Sequence, residues 1–446
     1  MVKKSKSSFV CSNCGAQHSS WMGKCSVCGE WNTLVEQLSE ASLSGAGGRK
    51  LEATASTAVT KQKQSARIPS GSDPMDEVLG GGFVAGSVTL LAGQPGIGKS
   101  TLLLQVAYAA AKKVPVLYIS GEESVHQVGL RAQRLKAVTE NLEITSSNSA
   151  DDIAATIAGG QYELVVVDSI QTISAGAVSS APGSVSQITN SASLLMQAAK
   201  RSNTALLLVG HVTKEGSIAG PKVLEHVVDV VLQLEGDRYG GFKVLRSVKN
   251  RFGSTNESAI YEMVEEGLQP VENPSAALLA ERQVSDGSVV LATLEGVRPL
   301  LVEVQALVNP TSYGYPKRAA SGIDLNRVNL LIAMLERRTK LSLADKDVYI
   351  NIVGGLKITE PAADLAVCMA IASAAKGMQL KKDAVVFGEV GLSGEVRRVP
   401  FAEKRLGEAK KLGFIGAIGP SLTKADKFLL PVRDIRSALN QFLEKD

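Results

Sequence analysis

The segment from Gly93 to Thr101, GQPGIGKST, has the residue types and spacing of a phosphate-binding loop. It lies between an apolar run predicted to be a strand (87–93) and a stretch predicted to be a helix (99–112). Glycines let backbone N–H groups point at a β-phosphate, while Lys99 supplies positive charge and Ser100 offers a hydroxyl to Mg²⁺. We therefore predict an ATP site. Its predicted nucleotide-binding residues are Gly93, Gln94, Pro95, Gly96, Ile97, Gly98, Lys99, Ser100 and Thr101.

Polar residues follow three other apolar runs that we predict to be strands of the same sheet. Asp168 ends LVVVD and is predicted to hold the Mg²⁺ shell, with helix capping as the alternative. Glu122 and Glu123 follow the predicted strand 115–120. RecA-like ATPases carry a water-polarising glutamate at this point, and Glu122 fits it better by position than its neighbour. His211 ends a fourth apolar run and is either a γ-phosphate sensor or a surface residue.

Four of the five cysteines lie near the start of the chain and form C-x2-C-x10-C-x2-C. Cys11, Cys14, Cys25 and Cys28 can close a tetrahedral Zn²⁺ site with no open position, so the predicted role of the metal is structural. Metal binding supplies roughly 10–16 kcal/mol of apparent folding free energy in modules of this kind. Disulfides or a redox pair are the alternatives. Cys368 lies alone in an Ala-rich segment and is predicted to be a buried thiol.

Composition and charge set the broad class. The chain has 446 residues, 44% of them hydrophobic, which is enough for two or three domains. No apolar run is long enough for a membrane span, and Cys11 interrupts the basic start before a signal-peptide core, so we expect a cytoplasmic protein without a membrane partner. Residues 1–67 hold nine Lys and Arg against four Asp and Glu. That excess fits either an acidic partner or a solvated basic tail.

Apolar strands alternate with helical stretches after residue 67, which predicts an α/β fold with a parallel sheet covered on both faces. The runs VVDVVLQLEG and GFKVLRSVKN predict an antiparallel hairpin at the edge of that sheet. A second set of strands and helices predicts another α/β domain. The predicted divisions are a zinc finger at 1–36, a flexible linker at 37–66, a P-loop ATPase domain at 67–270 and the second domain at 275–446.

Five segments together resemble one known family. They are the four-cysteine finger, GQPGIGKST, GEES at 121–124, GHVTKEG at 210–216 and KNRFG at 249–253. The chain resembles the RadA (Sms) family of bacterial DNA repair and recombination ATPases over nearly its whole length, and its core is also similar to hexameric helicases of the DnaB type. The resemblance implies a RecA-like core, an N-terminal zinc finger and a C-terminal Lon-protease-like domain. It further implies homo-hexameric rings that move on single-stranded DNA, promote branch migration and work with the RecA recombinase.

The C-terminal part departs from the Lon pattern at the catalytic positions that this resemblance aligns. Ala362, within EPAAD at 360–364, stands where Lon has its nucleophilic serine, and Glu403 or Lys404 stands at the lysine position. Without a hydroxyl there is no acyl-enzyme chemistry, so we expect a scaffold or binding domain and no protease. A DNA-contacting face and a solvated helix surface are equally good interpretations of its basic residues, namely Arg397, Arg398, Lys404, Arg405, Lys410 and Lys411.

Contacts with DNA and with a neighbouring subunit are predicted from loops and cations. The small, flexible, uncharged loop at 174–186 and a second loop flanked by Lys214 and Lys222 are expected to bind the DNA backbone rather than stack on bases. Lys249 and Arg251 alternate at a strand end. We expect them to reach the γ-phosphate of the adjacent subunit, with DNA phosphate as the alternative. The competing function is a regulatory ATPase that acts on protein partners only.

Overall fold

A computed structural model describes residues 7–38, 67–211, 222–236, 241–312, 314–380 and 383–444. The chain separates into two compact units, Met1–Gln64 and Ser65–Asp446. No helix within the described ranges is long and apolar enough to cross a membrane. The first unit contains a three-stranded antiparallel sheet, and its strands across the sheet are β2 (Gln17–His18), β1 (Ser7–Cys11) and β3 (Leu34–Leu38).

The second unit contains a nine-stranded sheet that carries the predicted ATP site. Across the sheet its strands are β12 (Gly267–Pro270), β11 (Ser258–Val264), β10 (Phe242–Asn250), β9 (Val230–Gly236), β4 (Val88–Gly93), β8 (Ala205–His211), β7 (Leu164–Asp168), β5 (Val116–Ser120) and β6 (Leu142–Ser146). The six strands from β9 to β6 run parallel. Every residue of β4, β5 and β7 is buried, because helices cover both faces, as the unbroken apolar runs predicted.

Helices on this sheet begin at polar or glycine caps. They are α1 (Asp73–Leu79), α2 (Lys99–Ala111), α3 (Val125–Arg134), α4 (Ala150–Ala158), α5 (Val185–Ser202) and α6 (Lys222–Val227). Ser124, Ser149 and Ser184 each accept a backbone N–H from the first turn of the helix that follows. At α2 the cap is Gly98, which has no side chain to offer. The first turn of α2 therefore keeps backbone donors for a ligand.

The predicted hairpin forms, but its expected position at the sheet edge is wrong. Strands β9 and β10 pair antiparallel, with an irregularity between Ser247 and Lys249. A second hairpin, β11 with β12, continues the sheet beyond them. The segment that forms it buries alternate large side chains, such as Tyr261, beneath the P-loop helix. The edge strand is therefore β12, two strands further out than expected.

A seven-stranded mixed sheet forms the C-terminal part of the second unit. Across it the strands are β15 (Arg318–Ser321), β16 (Lys346–Ile352), β14 (Arg298–Pro310), β13 (Ser288–Glu295), β18 (Ala384–Val386), β21 (Gly416–Gly419) and β22 (Leu429–Pro431). Its helices are α7 (Pro274–Leu279), α8 (Leu325–Thr339), α9 (Asp364–Lys376), α10 (Ala402–Lys411) and α11 (Ile435–Phe442). Two short pairs complete it, β17 (Gln379–Leu380) with β23 (Leu443–Glu444) and β19 (Glu389–Val390) with β20 (Val396–Arg397). Cys368 is fully buried within α9, as predicted.

Strands β10 and β11 contribute side chains to two apolar cores at once. Val244 and Ile260 belong to the core of the seven-stranded sheet. Their sequence neighbours Leu245, Ala259 and Tyr261 belong to the core beneath the P-loop helix. Successive side chains of a strand point to opposite faces, so a short stretch of backbone serves both cores.

A charged group also joins the two sheets. The Nη2 atom of Arg246, in β10, donates to Oε2 of Glu295, in β13, at 2.7 Å. Arg246 makes a second ion pair with Glu235 of β9. The division of this unit at about residues 270–275 stays a prediction.

Candidate nucleotide and metal sites

The loop between β4 and α2 needs glycine at several positions. Gly96 and Gly98 have φ of 78° and 112°, in the left-handed region that disfavours other residues. A Cβ at Gly98 would lie 2.7 Å from Cε of Met263, and one at Gly93 would lie 2.7 Å from the carbonyl oxygen of Leu234. The glycines of the motif therefore satisfy both the backbone conformation of the loop and its close packing against β9 and β11.

Lys99 is a buried cation whose hydrogen-bond partners within the described part of the chain are backbone carbonyls. Lys99 is 4% exposed, and its Nζ atom donates to the carbonyl oxygens of Gly93 and Gln94, both at 2.9 Å. Burial lowers the pKa of Lys99 to about 8, although the nearby carboxylates of Asp168 and Glu122 act in the opposite direction. A buried ammonium with neutral partners gains free energy when an anion replaces them. The loop thus fits a phosphate group.

Asp168 lies at the carboxyl edge of the parallel strands, the edge that also carries the P-loop. It is 9% exposed, and its Oδ2 accepts a hydrogen bond from the hydroxyl of Tyr118 at 2.7 Å. Burial raises the pKa of Tyr118, with Asp168 adding to the effect, so the phenol stays protonated and remains a donor. The hydrogen bond orients Oδ2 of Asp168 and leaves Oδ1 free to bind a metal ion or a water molecule. This oxygen chemistry fits Mg²⁺, together with the Ser100 hydroxyl.

Glu122 and Glu123 have different partners. Oε1 of Glu122 accepts a hydrogen bond from the Ser169 hydroxyl at 2.5 Å and lies 3.4 Å from Nε2 of His211. Glu123 instead pairs with Arg131 of α3, with Oε1 and Nη2 2.7 Å apart. Glu122 therefore shares its surroundings with the ends of β7 and β8, whereas Glu123 is held by the helix that follows it.

Two residues of this cluster were missed by sequence reasoning. Tyr118 is a phenol within an otherwise apolar buried strand, and a buried tyrosine hydroxyl normally has a hydrogen-bond partner. That rule was a signal for a polar site near β5. Ser169 directly follows Asp168 and carries no motif of its own. Its role depends on the meeting of β5 and β7, which sequence spacing does not reveal.

Lys249 and Arg251 lie near the amino ends of the parallel strands, because the end of β10 pairs with the start of β9. The P-loop of the same chain lies at the carboxyl ends of those strands. Nζ of Lys249 donates to the carbonyl oxygens of Glu225 at 2.7 Å and Val228 at 2.8 Å, at the C-terminal end of α6. Arg251 pairs with Asp229 at 3.2 Å, and its side chain is 53% exposed. These cations can act on a nucleotide only if it is held by another subunit.

The predicted DNA loop at 174–186 is internally braced. The Gln187 side-chain nitrogen donates to the carbonyl oxygens of Val178 at 3.0 Å and Ser180 at 3.1 Å, and its oxygen accepts the N–H of Ala175 at 3.0 Å. A buried amide thus holds three points of the loop backbone, and the last two residues of the predicted range belong to α5; the flexibility of the loop and its contact with DNA stay predictions. Lys214 lies outside the described residues, and so does the side chain of Lys222.

The four cysteine sulfurs lie where one zinc ion would hold them. Sγ of Cys11 is 3.6 Å from Sγ of Cys28, and Sγ of Cys14 is 3.7 Å from Sγ of Cys25. All four sulfurs lie within 4.8 Å of one another. A tetrahedral site with Zn–S bonds of about 2.3 Å places sulfurs about 3.8 Å apart. The backbone N–H groups of Cys28 and Val27 lower the pKa of Cys25 to about 6, which favours a thiolate ligand. The cluster fits structural zinc.

The Glu360–Asp364 turn has a cationic neighbour that the sequence did not predict. Arg405 of α10 reaches it, whereas Glu403 and Lys404 do not: Nη2 of Arg405 lies 2.6 Å from Oε2 of Glu360 and Nη1 lies 2.8 Å from Oε1. The alignment of Glu403 or Lys404 with the lysine position of Lon stays a prediction, while the ion pair shows that the face of α10 carrying Arg405 meets this turn. Ala362 is buried at 2% exposure beside this pair.

The expected basic face on α10 is wrong for Arg405, which is fully buried. Nζ of Lys410 pairs with Asp426 at 2.8 Å, and Nζ of Lys404 donates to the carbonyl oxygen of Val297 at 3.1 Å. A DNA-contacting role for the remaining exposed cations stays a prediction.

Comparison with known proteins agrees with this architecture. A family model described as an AAA domain matches residues 54–217, one described as a rubredoxin metal binding domain matches 9–36, and one described as subunit ChlI of Mg-chelatase matches 324–422. The fold and site define a RecA-like P-loop ATPase with an N-terminal zinc ribbon and a C-terminal Lon-protease-like domain. The match to the metal-binding model and the four clustered cysteines support a bound Zn²⁺ ion.

Curated relatives match almost end to end. The chain is 49% identical over 432 residues to the DNA repair protein RadA of Bacillus subtilis (strain 168), with 94% of this chain and 93% of that protein covered. Identity is 48% over 425 residues to the RadA of Pseudomonas aeruginosa, with 94% of each covered, and 44% over 457 residues to that of Escherichia coli (strain K12), with 99% of each covered. The chain belongs to the RadA family of DNA repair proteins.

Two solved structures share part of the fold. The crystal structure of the RadB recombinase is 22% identical with a TM-score of 0.37, and it covers 46% of this chain and 100% of that chain. A KaiC-like protein from Pyrococcus horikoshii OT3, PH0186, is 21% identical with a TM-score of 0.39 and covers 46% and 98%. These TM-scores are too low to decide the architecture.

Proposed function

We propose that this protein is a single-stranded-DNA-dependent ATPase motor that processes recombination intermediates by branch migration during DNA repair. Membership of the RadA family supports the repair role. The observation that carries the ATPase part of the proposal is the position of Glu122, within hydrogen-bond reach of Ser169 and 3.4 Å from His211 at the edge that holds the P-loop. A homo-hexameric ring and the RecA recombinase as partner are part of the proposal.

In the proposed reaction Lys99 exchanges its two carbonyl partners for β- and γ-phosphate oxygens. Ser100 and Asp168 hold Mg²⁺, which when bound neutralises charge on the phosphates. The Tyr118 hydroxyl fixes the rotamer of Asp168. Each of these steps uses a side chain already at the carboxyl edge of the parallel sheet.

Glu122 is the proposed group that orients and polarises the attacking water. Its Oε1 atom has Ser169 as donor, so Oε2 remains for the water. His211 faces the same Oε1 atom and is the last residue of β8. We assign His211 the sensor role, because a movement or charge change of Glu122 during hydrolysis would alter its contact with His211. His211 directly precedes the loop that follows β8.

Lys249 and Arg251 are proposed to act on the nucleotide of the adjacent subunit. Arg251 is better suited, because its side chain is 53% exposed and has one ion-pair partner, Asp229. Lys249 must leave the carbonyls of α6 before it reaches a phosphate. A cation supplied in this way accelerates phosphoryl transfer by about 10³–10⁵.

The C-terminal domain is proposed to be a scaffold without protease activity. Ala362 supplies no nucleophile, and the Arg405 guanidinium is bound by Glu360 rather than free to act on a substrate.

The test compares Glu122→Gln with Glu123→Gln in an ATP-turnover assay with and without single-stranded DNA. We expect DNA to stimulate the wild type, with stimulation falling steeply as salt rises. Glu122→Gln removes the charge that polarises water, so turnover falls at least 100-fold, about the usual contribution of such a group, while ATP binding persists. Glu123→Gln should retain most activity. An equal loss in both variants contradicts the assignment, and turnover that responds to a protein partner but not to DNA favours the regulatory ATPase.

A further inference from the structure

Both tryptophans of the chain lie exposed on the zinc ribbon. Trp21 is 58% exposed and Trp31 is 67% exposed. Their six-membered rings lie over the same residue, since a Cβ built at Gly23 would be 3.6 Å from Cζ3 of Trp31 and 3.9 Å from Cη2 of Trp21. Neither ring belongs to the small apolar cluster around the cysteines, so the ribbon does not need them for its core. Two large rings placed side by side in solvent point to a ligand.

A lysine completes this surface. Nζ of Lys24 lies 5.7 Å from the centroid of the Trp31 ring, and the two residues are joined by a backbone bridge. The Cε atom of Lys24 packs over Gly29, 3.7 Å from the position of a Cβ there. The lysine stem is therefore directed across the ribbon beside the indoles. An indole face can accept a planar base, while an adjacent ammonium can pair with its phosphate.

The charge of the sequence on either side of the ribbon favours a polyanion over an apolar protein surface. Residues 1–67 contain nine Lys and Arg and four Asp and Glu, a net charge of +5, while residues 7–38 themselves carry Lys24, Glu30 and Glu36. The loop at 174–186, by comparison, contains no aromatic residue, so it can contact a DNA backbone but cannot stack on bases. Any stacking contact with DNA therefore comes from aromatic residues elsewhere in the chain.

We propose that Trp21, Trp31 and Lys24 form a stacking platform for unpaired bases of single-stranded DNA. The proposal rests on the DNA-dependent function above and names the site where the bases are held. Stacking of this kind tolerates any base, because every base has a π-face, so the platform adds affinity without sequence preference. A zinc ion bound by the four cysteines would hold the platform indirectly, since Cys25 directly follows Lys24 and Cys28 directly precedes Gly29, over which the lysine packs.

Intrinsic fluorescence of the full-length protein tests the platform directly, because all tryptophan emission comes from these two residues. Unlabelled oligo-deoxythymidylate should quench the emission on binding, whereas an abasic oligonucleotide of the same length and charge should not. Trp21→Leu and Trp31→Leu should each weaken DNA binding by about 5- to 150-fold. The matched control is Val27→Ala, at an apolar residue of the same ribbon that is 71% exposed and should bind DNA normally. Zinc content equal to wild type shows that each variant keeps its ribbon.

Several outcomes overturn the platform. Equal quenching by the abasic oligonucleotide assigns the contact to the backbone, and an equal loss in Val27→Ala makes the effect nonspecific. Unchanged DNA affinity in both tryptophan variants, with loss of binding to a RecA-type recombinase, assigns the surface to a protein. DNA-stimulated ATP turnover without any fluorescence response removes the platform and leaves the proposed function intact. Absence of both DNA binding and DNA stimulation removes the two proposals together.

Discussion

The P-loop and the Glu360 turn each hold a buried cation, and the two cations are satisfied in different ways. Lys99 donates to two backbone carbonyls, those of Gly93 and Gln94. Arg405 donates to both carboxylate oxygens of Glu360 and to the carbonyl of Ala292 at 2.6 Å. Among the described residues Lys99 has no direct ion-pair partner, whereas the charge of Arg405 is neutralised by Glu360.

This difference separates a binding site from a structural pair. An anion that approaches Lys99 replaces neutral dipoles with a full negative charge and so gains free energy. An anion that approaches Arg405 has to displace a carboxylate that is already in a two-point geometry. Burial of a cation therefore does not by itself identify a functional site; the charge of its partners does.

The largest expected effect comes from Lys99→Ala. This change removes the cation from the phosphate loop, so ATP turnover should fall to near background while the fold persists. The measurement is steady-state phosphate release, with circular dichroism as the check on folding. Lys113→Ala, at an exposed position just after the same helix, is the matched control and should retain wild-type turnover. Turnover by Lys99→Ala at the wild-type rate refutes the site.

Arg405→Ala should affect stability rather than catalysis. Removal of the guanidinium leaves Glu360 without its partner, and loss of one member of a buried pair costs about 3 kcal/mol or more. Denaturant unfolding measures this loss, and ATP turnover per folded molecule should stay near that of wild type. Lys404→Ala, at the neighbouring exposed position, should shift stability by at most about 0.5 kcal/mol. If Arg405→Ala abolishes turnover without destabilising the protein, the comparison with Lys99 fails.

The smallest effect concerns pH. Burial acts to raise the pKa of Glu360, but Arg405 outweighs it and holds the pKa below its usual value. A carboxyl with a lowered folded-state pKa adds stability at pH values above its unfolded pKa, about 4.3, and that stability is lost as pH falls through the folded value. Glu360→Gln should flatten this acid limb in urea unfolding at pH 3 to 6. If stability falls between pH 6 and pH 3 in Glu360→Gln as it does in the wild type, the Glu360–Arg405 pair is not the source of this pH dependence.

Local sequence signals predicted the P-loop, the zinc cluster and the parallel strands, because each depends on residues close together in the chain. The position of Asp168 followed from its place at the tip of a strand beside the P-loop, and that of Glu122 from the glutamate that RecA-like ATPases carry after this strand. The pairing of Arg405 was not predicted. Its role depends on which face of α10 meets a turn about 40 residues earlier, and a shift of one residue moves a helical side chain by about 100°.

Capping contacts were equally hidden from sequence. Lys249 was predicted as a catalytic cation, and nothing in KNRFG shows that its ammonium lies against the carbonyls of α6. Gln187, which braces the loop at 174–186, belongs to no motif. These contacts join segments through backbone carbonyls, which every residue carries, so residue type says little about where they form.

The alternation along β10 and β11 joins the cores of the two large sheets through shared strands. Even-numbered Val244 and Ile260 serve one core, whereas odd-numbered Leu245 and Tyr261 serve the other. Melting of either core would remove packing from one face of the strands whose other face supports the neighbouring core. We therefore expect the stabilities of the two sheets to be linked, and which core a substitution in these strands disturbs should follow the parity of the residue number.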